Sequence, residues 1–256
     1  MRGWTIGVAT MALAAPLAAW GQLQTPRSIS MQRAPEGWRP AVFVCDAIDG
    51  DRVLVLSAPD KARRAMLSVF ARPGLAGQQT PVRIGAGDAG AGQIWYPLLD
   101  GAGQSTGAVH AVNPGMVDPP ATTPAIVGVR WAGHENVCRF MPQTRILGVT
   151  ARRSIQITQT PTNGYRYRSY NADSNLPELP QAGAGHDTRA SLTIDNGRLV
   201  DQRGGRRVFE FNNAGYVYRV LASVDTTKGG GGVQVWRDGR MVLAEPFVAY
   251  TAALAV

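Results

Sequence analysis

Two dipeptides, Asn196-Gly197 and Asp238-Gly239, punctuate a run of alternating apolar and polar residues over positions 190–250. Glycine after Asn or Asp supplies the positive φ that a two-residue type I′ turn requires, so each dipeptide between apolar runs signals a β-hairpin. The alternation has period two in Leu192/Ile194, Phe209/Phe211, Tyr216/Tyr218/Val220, Val233/Val235 and Met241/Leu243. That period places one side-chain set on the core face of each strand. The expectation is an antiparallel meander of strands over 190–195, 198–203, 206–212, 216–223, 233–237 and 240–250. The turn dipeptides close its first and last hairpins.

The same reading extends toward the N-terminus. Short β-runs are expected at 41–45 and 52–57 (joined by an Asp49-Gly50 turn), 81–84, 94–96, 108–112, 125–131, 137–140, 144–150, 153–160 and 164–170. Residues 60–70 carry capping-box chemistry that fits a short helix, while 66–71 reads better as a returning strand. Glycine density makes 85–92 a loop. The 30 Gly and 17 Pro lack a collagen-like period and fit many short strands joined by turns. The chain therefore reads as all-β, with antiparallel meanders forming one or two sandwich- or barrel-like domains.

Within that frame the expected organisation has five parts. Residues 1–21 form a signal peptide and 22–37 a flexible leader. Residues 38–170 make a β-domain, 171–188 a linker or long loop, and 189–256 the meander. The signal peptide is read from Met1-Arg2, an apolar stretch, and small residues Ala19 and Gly21 at the −3 and −1 positions. Export implies a periplasmic or secreted protein in an oxidising compartment. There the only two cysteines, Cys45 and Cys138, are expected to pair. An echo crosses the linker: Arg152-Arg-Ser-Ile-Gln-Ile157 leads to Gly164-Tyr-Arg-Tyr-Arg168, and Arg206-Arg-Val-Phe-Glu-Phe211 leads to Gly215-Tyr-Val-Tyr-Arg219. It reads as a repeated three-strand unit.

Motifs for catalysis are absent. There is no His-Glu-x-x-His, no Gly-x-Ser-x-Gly, no phosphate loop and no cysteine pair with metal spacing. His110, His134 and His186 lie far apart. A carboxylate pair for glycan cleavage would have to come from Glu135, Glu178, Glu210 or Glu245, and the sequence favours no combination. No cofactor, metal or nucleic-acid partner is expected.

Residues 45–138 resemble the small β-barrel inhibitors of C-type lysozyme found in bacterial envelopes. The likeness rests on Cys45-Asp46, Asp49-Gly50, Asp60-Lys-Ala62, Gly90-Ala-Gly-Gln-Ile-Trp-Tyr96 and Cys138. It implies a disulfide-closed envelope β-domain and, as an alternative function, lysozyme inhibition. Ala91 stands where the family's inhibitory loop carries serine, and the family's Trp-x-Lys-Gly segment has no counterpart.

The charge of +8 arises from arginine, since Lys61 and Lys228 are the only lysines. Arginine's planar fork suits carboxylates and phosphates. Alternation on 165–170 puts Tyr165 and Tyr167 on the core face, and Arg166, Arg168 and Tyr170 on the other. Arg219 lies opposite Tyr216 and Tyr218. Arg166, Arg168, Tyr170 and Arg219 are thus the expected binding face. The leading functional expectation is non-catalytic binding of an anionic envelope glycan or an envelope protein partner. A glycan hydrolase without a recognisable motif is the remaining alternative.

Overall fold

The structure is a computed structural model that describes residues 28–48, 51–90, 92–112, 126–139, 141, 143–172 and 190–254. The expected signal peptide, the Asp49-Gly50 turn and nearly all of the 171–188 segment lie outside the described residues. The described chain is all-β. Its strands are β1 (Ser28–Ala34), β2 (Gly37–Asp46), β3 (Arg52–Ser57), β4 (Arg64–Ala71), β5 (Gly77–Ile84), β6 (Asp88–Gly90), β7 (Gln93–Leu99), β8 (Ser105–Val112), β9 (Ile126–Trp131) and β10 (His134–Val137). They continue with β11 (Thr144–Val149), β12 (Arg153–Gln159), β13 (Tyr165–Asn171), β14 (Leu192–Asp201), β15 (Arg206–Asn213), β16 (Tyr216–Ser223), β17 (Gly231–Arg237), β18 (Arg240–Pro246) and β19 (Ala249–Ala253). All nineteen join one antiparallel sheet that is not closed into a barrel.

That sheet encloses two cores. The first is gathered from β2 to β9 and holds Phe43, Leu54, Leu56, Leu67, Ile84, Tyr96, Leu98 and Val129. Strands β2 to β5 and β7 to β9 pair in sequence order, so one face of the sheet curls around its own side chains. Its two ends meet at an isolated bridge between Ala47 and Cys138. Beside that bridge Cys45 and Cys138 form a disulfide with Cα atoms 4.9 Å apart. The helical alternative for 60–70 gives way to β4, which pairs along its length with β5.

The second core joins β11–β13 to β14–β18 and holds Ile155, Ile157, Tyr165, Tyr167, Phe209, Phe211, Val220 and Phe247. Residues 144–171 thus share a core with the C-terminal strands, across the segment expected to be a linker. A third, smaller cluster of Val44, Val53, Val55, Val149 and Ala249 packs β2 and β3 against β11 and β19. Both members of the sequence echo form three-stranded meanders, β11–β12–β13 and β14–β15–β16.

Several local expectations are corrected. Within 85–92, read as a loop, Asp88–Gly90 form the short strand β6, paired with Gln93–Trp95 at the start of β7. Residues 28–34, read as flexible leader, form β1 between β19 and β2, with Met31 fully buried. Their polar composition hid a strand that pairs with its neighbour β2 on one side and with β19, at the far end of the chain, on the other. The 240–250 run is two strands, broken at Phe247-Val248, because β19 leaves β17–β18 to pair with β1 and β11. Asn196-Gly197 is not a hairpin turn. β14 runs through it, pairing with β13 on both sides of a bulge at Asp195-Asn196, as far as Gly197, and with β15 from Arg198 on. Only Asn196 takes positive φ there, at 59°. Gly197 is required for a different reason: a Cβ at this position would lie 2.0 Å from the Phe211 ring. Asp238-Gly239, by contrast, is the expected tight turn, with φ of 49° and 74°.

Two expected outcomes follow from this architecture. Reducing the protein, or substituting Cys45→Ser, lowers the melting temperature, because the bridge closes a sequence separation of 93 residues. The chain-entropy gain for such a loop is about 4 kcal/mol. Two free thiols in the native protein purified from an oxidising compartment would contradict it. Gly197→Ala forces the fully buried Phe211 out of place and costs about 1–3 kcal/mol as overpacking. A urea midpoint unchanged from wild type would refute this account of the bend.

Candidate functional site

The structure gives the four residues expected to form a binding face different surroundings: the three arginines each have a side-chain partner and Tyr170 is buried. Arg166 makes an ion pair with Asp195, and Arg219 donates to Glu210 at 2.9 Å. Arg198 holds the other oxygen of Glu210 at 2.6 Å, so this carboxylate sits between two guanidinium groups. Arg168 donates to the Met141 sulfur at 3.2 Å. Cross-strand carboxylates thus neutralise two of the three arginines. Tyr170 is buried, contrary to its place on the expected solvent face. The Arg139 guanidinium lies 3.4 Å above its ring, and its hydroxyl donates to Gln156 at 3.3 Å. Alternation assigned the face correctly, but the other half of the molecule covers this end of β13.

The carboxylates considered for hydrolysis are likewise engaged. Glu135 faces Arg130 at 3.8 Å, and Glu210 is held as described. Glu178 lies outside the described residues. His110 stacks on Trp95 with ring centroids 4.1 Å apart and meets Gln93 Oε1 at 2.7 Å. Loss of solvent lowers its pKa. Among the described residues no group of His, Cys, Asp and Glu is placed to hold a metal ion. No described helix is long and apolar enough to cross a membrane.

A concave site does exist where the sheet is left open. The C-terminal ladder ends at β18, whose free edge meets no strand among those described. Its Glu245 reaches across to Arg153 on β12 instead, with oxygen–nitrogen distances of 3.0 and 3.1 Å. Thr150 donates to the same carboxylate at 2.9 Å. Against Arg153 lies a cleft of about 220 Å³. Arg153, Tyr167, Ser169, Asn171 and Leu192 line one side; Tyr216, Tyr218, Val233, Val235 and Leu243 line the other.

Strand alternation explains the lining. Tyr167, Ser169 and Asn171 are successive inward residues of β13, while Tyr216 and Tyr218 point inward from β16. Tyr167 and Tyr218 stand 5.6 Å apart, and Tyr167 leans on Phe211 at 5.7 Å. Tyr216 is fixed at the lip by Arg237, which donates to its hydroxyl at 2.9 Å and lies 5.0 Å from its ring. Asn171 Oδ1 is buried and has no hydrogen-bond partner among the described residues. Removal from water pushes the Tyr167 hydroxyl up to about 12, against the opposing pull of Ser169 and Arg153.

Chemically, this arrangement offers aromatic faces, a neutralised Arg–Glu strut and a buried amide end. Among the described residues it holds no nucleophile activated by an adjacent base. Sequence alternation found the tyrosines but assigned them to the core, which is right for Tyr165 and Tyr167. Tyr216 and Tyr218 are half-buried because they flank an opening. Arg153 and Asn171 carried no local signal. No protein-family model, curated protein or solved structure matches the chain.

The Tyr167 hydroxyl gives a pH test. Its folded-state pKa lies above the ordinary value of 10, so its contribution to stability is complete below pH 10 and is lost as pH rises toward about 12. Tyr167→Phe abolishes that part of the alkaline loss. Denaturant midpoints measured from pH 9 to 12 should fall less steeply in the variant, by about 2 kcal/mol over the window. Parallel curves would contradict the burial assigned to this hydroxyl.

Proposed function

We propose that this is an exported, non-catalytic binding protein that takes a ring-bearing unit of an envelope glycan into the tyrosine-lined cleft. The observation carrying the proposal is the cleft itself, a concavity with aromatic walls and a few convergent polar groups. Tyrosine presents a rigid amphipathic face at low entropic cost, suited to the C–H face of a sugar ring. Arg153 and Glu245 cancel each other's charge, so the cleft suits a neutral unit better than a strongly charged one. Export is supported by the signal-like N-terminal sequence and by the disulfide.

A second reading keeps an anionic polymer on the outer arginine face. It is favoured by Arg168, whose guanidinium has a sulfur rather than a carboxylate as its partner, and by the net charge of +8. The two readings separate by mutation. Co-sedimentation with purified cell-wall glycan should weaken roughly tenfold for Tyr218→Ala, as expected for about 1.4 kcal/mol of lost ring contact. The double variant Arg166→Ala/Arg168→Ala should sediment like wild type at low and high salt. Loss of binding in the arginine variant alone, with strong salt dependence, would move the site to the outer face. No retention of wild type would overturn both.

A further inference from the structure

We infer that the Cys45–Cys138 bridge sets the shape of the cleft, with Asp46, Arg72 and Arg139 as the positioning residues that carry its effect. This rests on the glycan-binding reading above only where affinity is measured. The disulfide and the buried ion cluster are adjacent in the chain, since Asp46 follows Cys45 and Arg139 follows Cys138. The backbone between the two segments is closed by hydrogen bonds. Arg139 N–H donates to the Asp46 carbonyl at 2.8 Å, and Ile48 N–H to the Val137 carbonyl at 2.9 Å. One covalent bond thus fixes the two segments from which the Asp46 carboxylate and the Arg139 guanidinium meet at 2.6 Å.

From that carboxylate two arms reach one wall of the cleft. Arg139 lies 3.4 Å above the ring of Tyr170, whose chain neighbours Ser169 and Asn171 line the cleft. Arg72 meets Asp46 at 2.7 Å and donates to Ser154 Oγ at 2.6 Å, next to Arg153, which also lines the cleft. Ser154 and Tyr170 stand directly opposite each other on β12 and β13, and so do Arg153 and Asn171. The first pair faces the N-terminal half and the second faces the cleft, as alternation requires. Close-packed strands pass a displacement on rather than absorb it, so moving the first pair moves the second. Opening the bridge takes a dithiol reductant. It delivers two electrons and two protons, leaves thiols on Cys45 and Cys138, and itself becomes a disulfide. The two segments then keep only their hydrogen bonds and the ion cluster, and the seat of Arg139 on Tyr170 shifts with them.

The test records backbone amide resonances of the isotopically labelled full chain without ligand, oxidised and after treatment with dithiothreitol, below the melting temperature of the reduced form. Reduction should displace Arg153, Ser154, Ser169, Tyr170 and Asn171, while Val217 of β16 and Trp236 of β17 stay in place. In Arg139→Met, which takes the guanidinium off Tyr170, reduction should displace Ser169, Tyr170 and Asn171 much less than in wild type. Retention on purified cell-wall glycan should fall roughly fivefold when wild type is reduced, the low end of coupling between sites. Unmoved cleft resonances in reduced wild type overturn the inference. Equal displacement in Arg139→Met, or collapse of the whole spectrum on reduction, overturns it too. Displacement with unchanged retention upholds the inference and removes the cleft from glycan binding. No retention of oxidised wild type removes the glycan reading alone, and the spectra still decide. The two wild-type spectra settle the matter even if Arg139→Met does not fold.

Discussion

A single buried carboxylate holds the two halves of this protein in register. Asp46, at the end of β2, is fully buried and meets Arg72 at 2.7 Å and Arg139 at 2.6 Å. Burial alone would raise its pKa, but the two guanidinium groups outweigh that and hold it below the ordinary carboxylate value. Arg72 also donates to Ser154 on β12 at 2.6 Å, and Arg139 covers Tyr170 on β13. Five segments thus converge on one charge. Taking one partner from such a buried cluster leaves an uncompensated ion and costs about 3–5 kcal/mol. Adjacent to Asp46, Cys45 belongs to the first core and closes the N-terminal half, while Asp46 ties that half to the C-terminal one. Two neighbouring residues of one strand perform both tasks because alternation points them to opposite faces.

The same continuity of hydrogen bonding explains why the cleft lies where it does. β1 and β19 carry the ladder from the N-terminal half into the C-terminal one, where β19 pairs with β11. The chain that could have closed the second half onto itself is diverted to make that join. β18 is left with a free edge, bent by a bulge near Val242 and ended by Pro246, features that discourage pairing with another chain. Closure falls instead to Arg153, Glu245 and Thr150. A side-chain strut joins β12 to β18 where no described strand pairs with β18, and its Arg153 lines the cleft.

Much of this was legible in the sequence, and the parts that were not share a cause. The strand set, the Asp238-Gly239 turn and the pairing of the only two cysteines follow from local chemistry or from simple counting. Asn196-Gly197 carries the same local signal as Asp238-Gly239, yet its meaning was reversed by Phe211, whose ring occupies the space beside Gly197. β1 carries no strand signal because its residues are polar and aperiodic; Met31 is covered only once its strand lies between Pro40 of β2 and Tyr250 of β19. The cleft needed Arg153 and Glu245, 92 residues apart, and tyrosines from two strands. Period-two alternation says which face a residue takes. It does not say whether another element covers that face, which is why Tyr170 is buried and Tyr216 and Tyr218 border an opening.

The central claim is that the open seam, and not the arginine face, meets the ligand. Backbone amide chemical shifts of the isotopically labelled full chain, recorded during titration with solubilised cell-wall glycan fragments, test it residue by residue. The account expects the largest changes at Tyr167, Asn171, Leu192, Tyr216 and Tyr218, with Asp195, Glu210 and Arg219 nearly still. Perturbations centred on Arg166, Arg168 and Arg219, with the cleft residues unmoved, would contradict it.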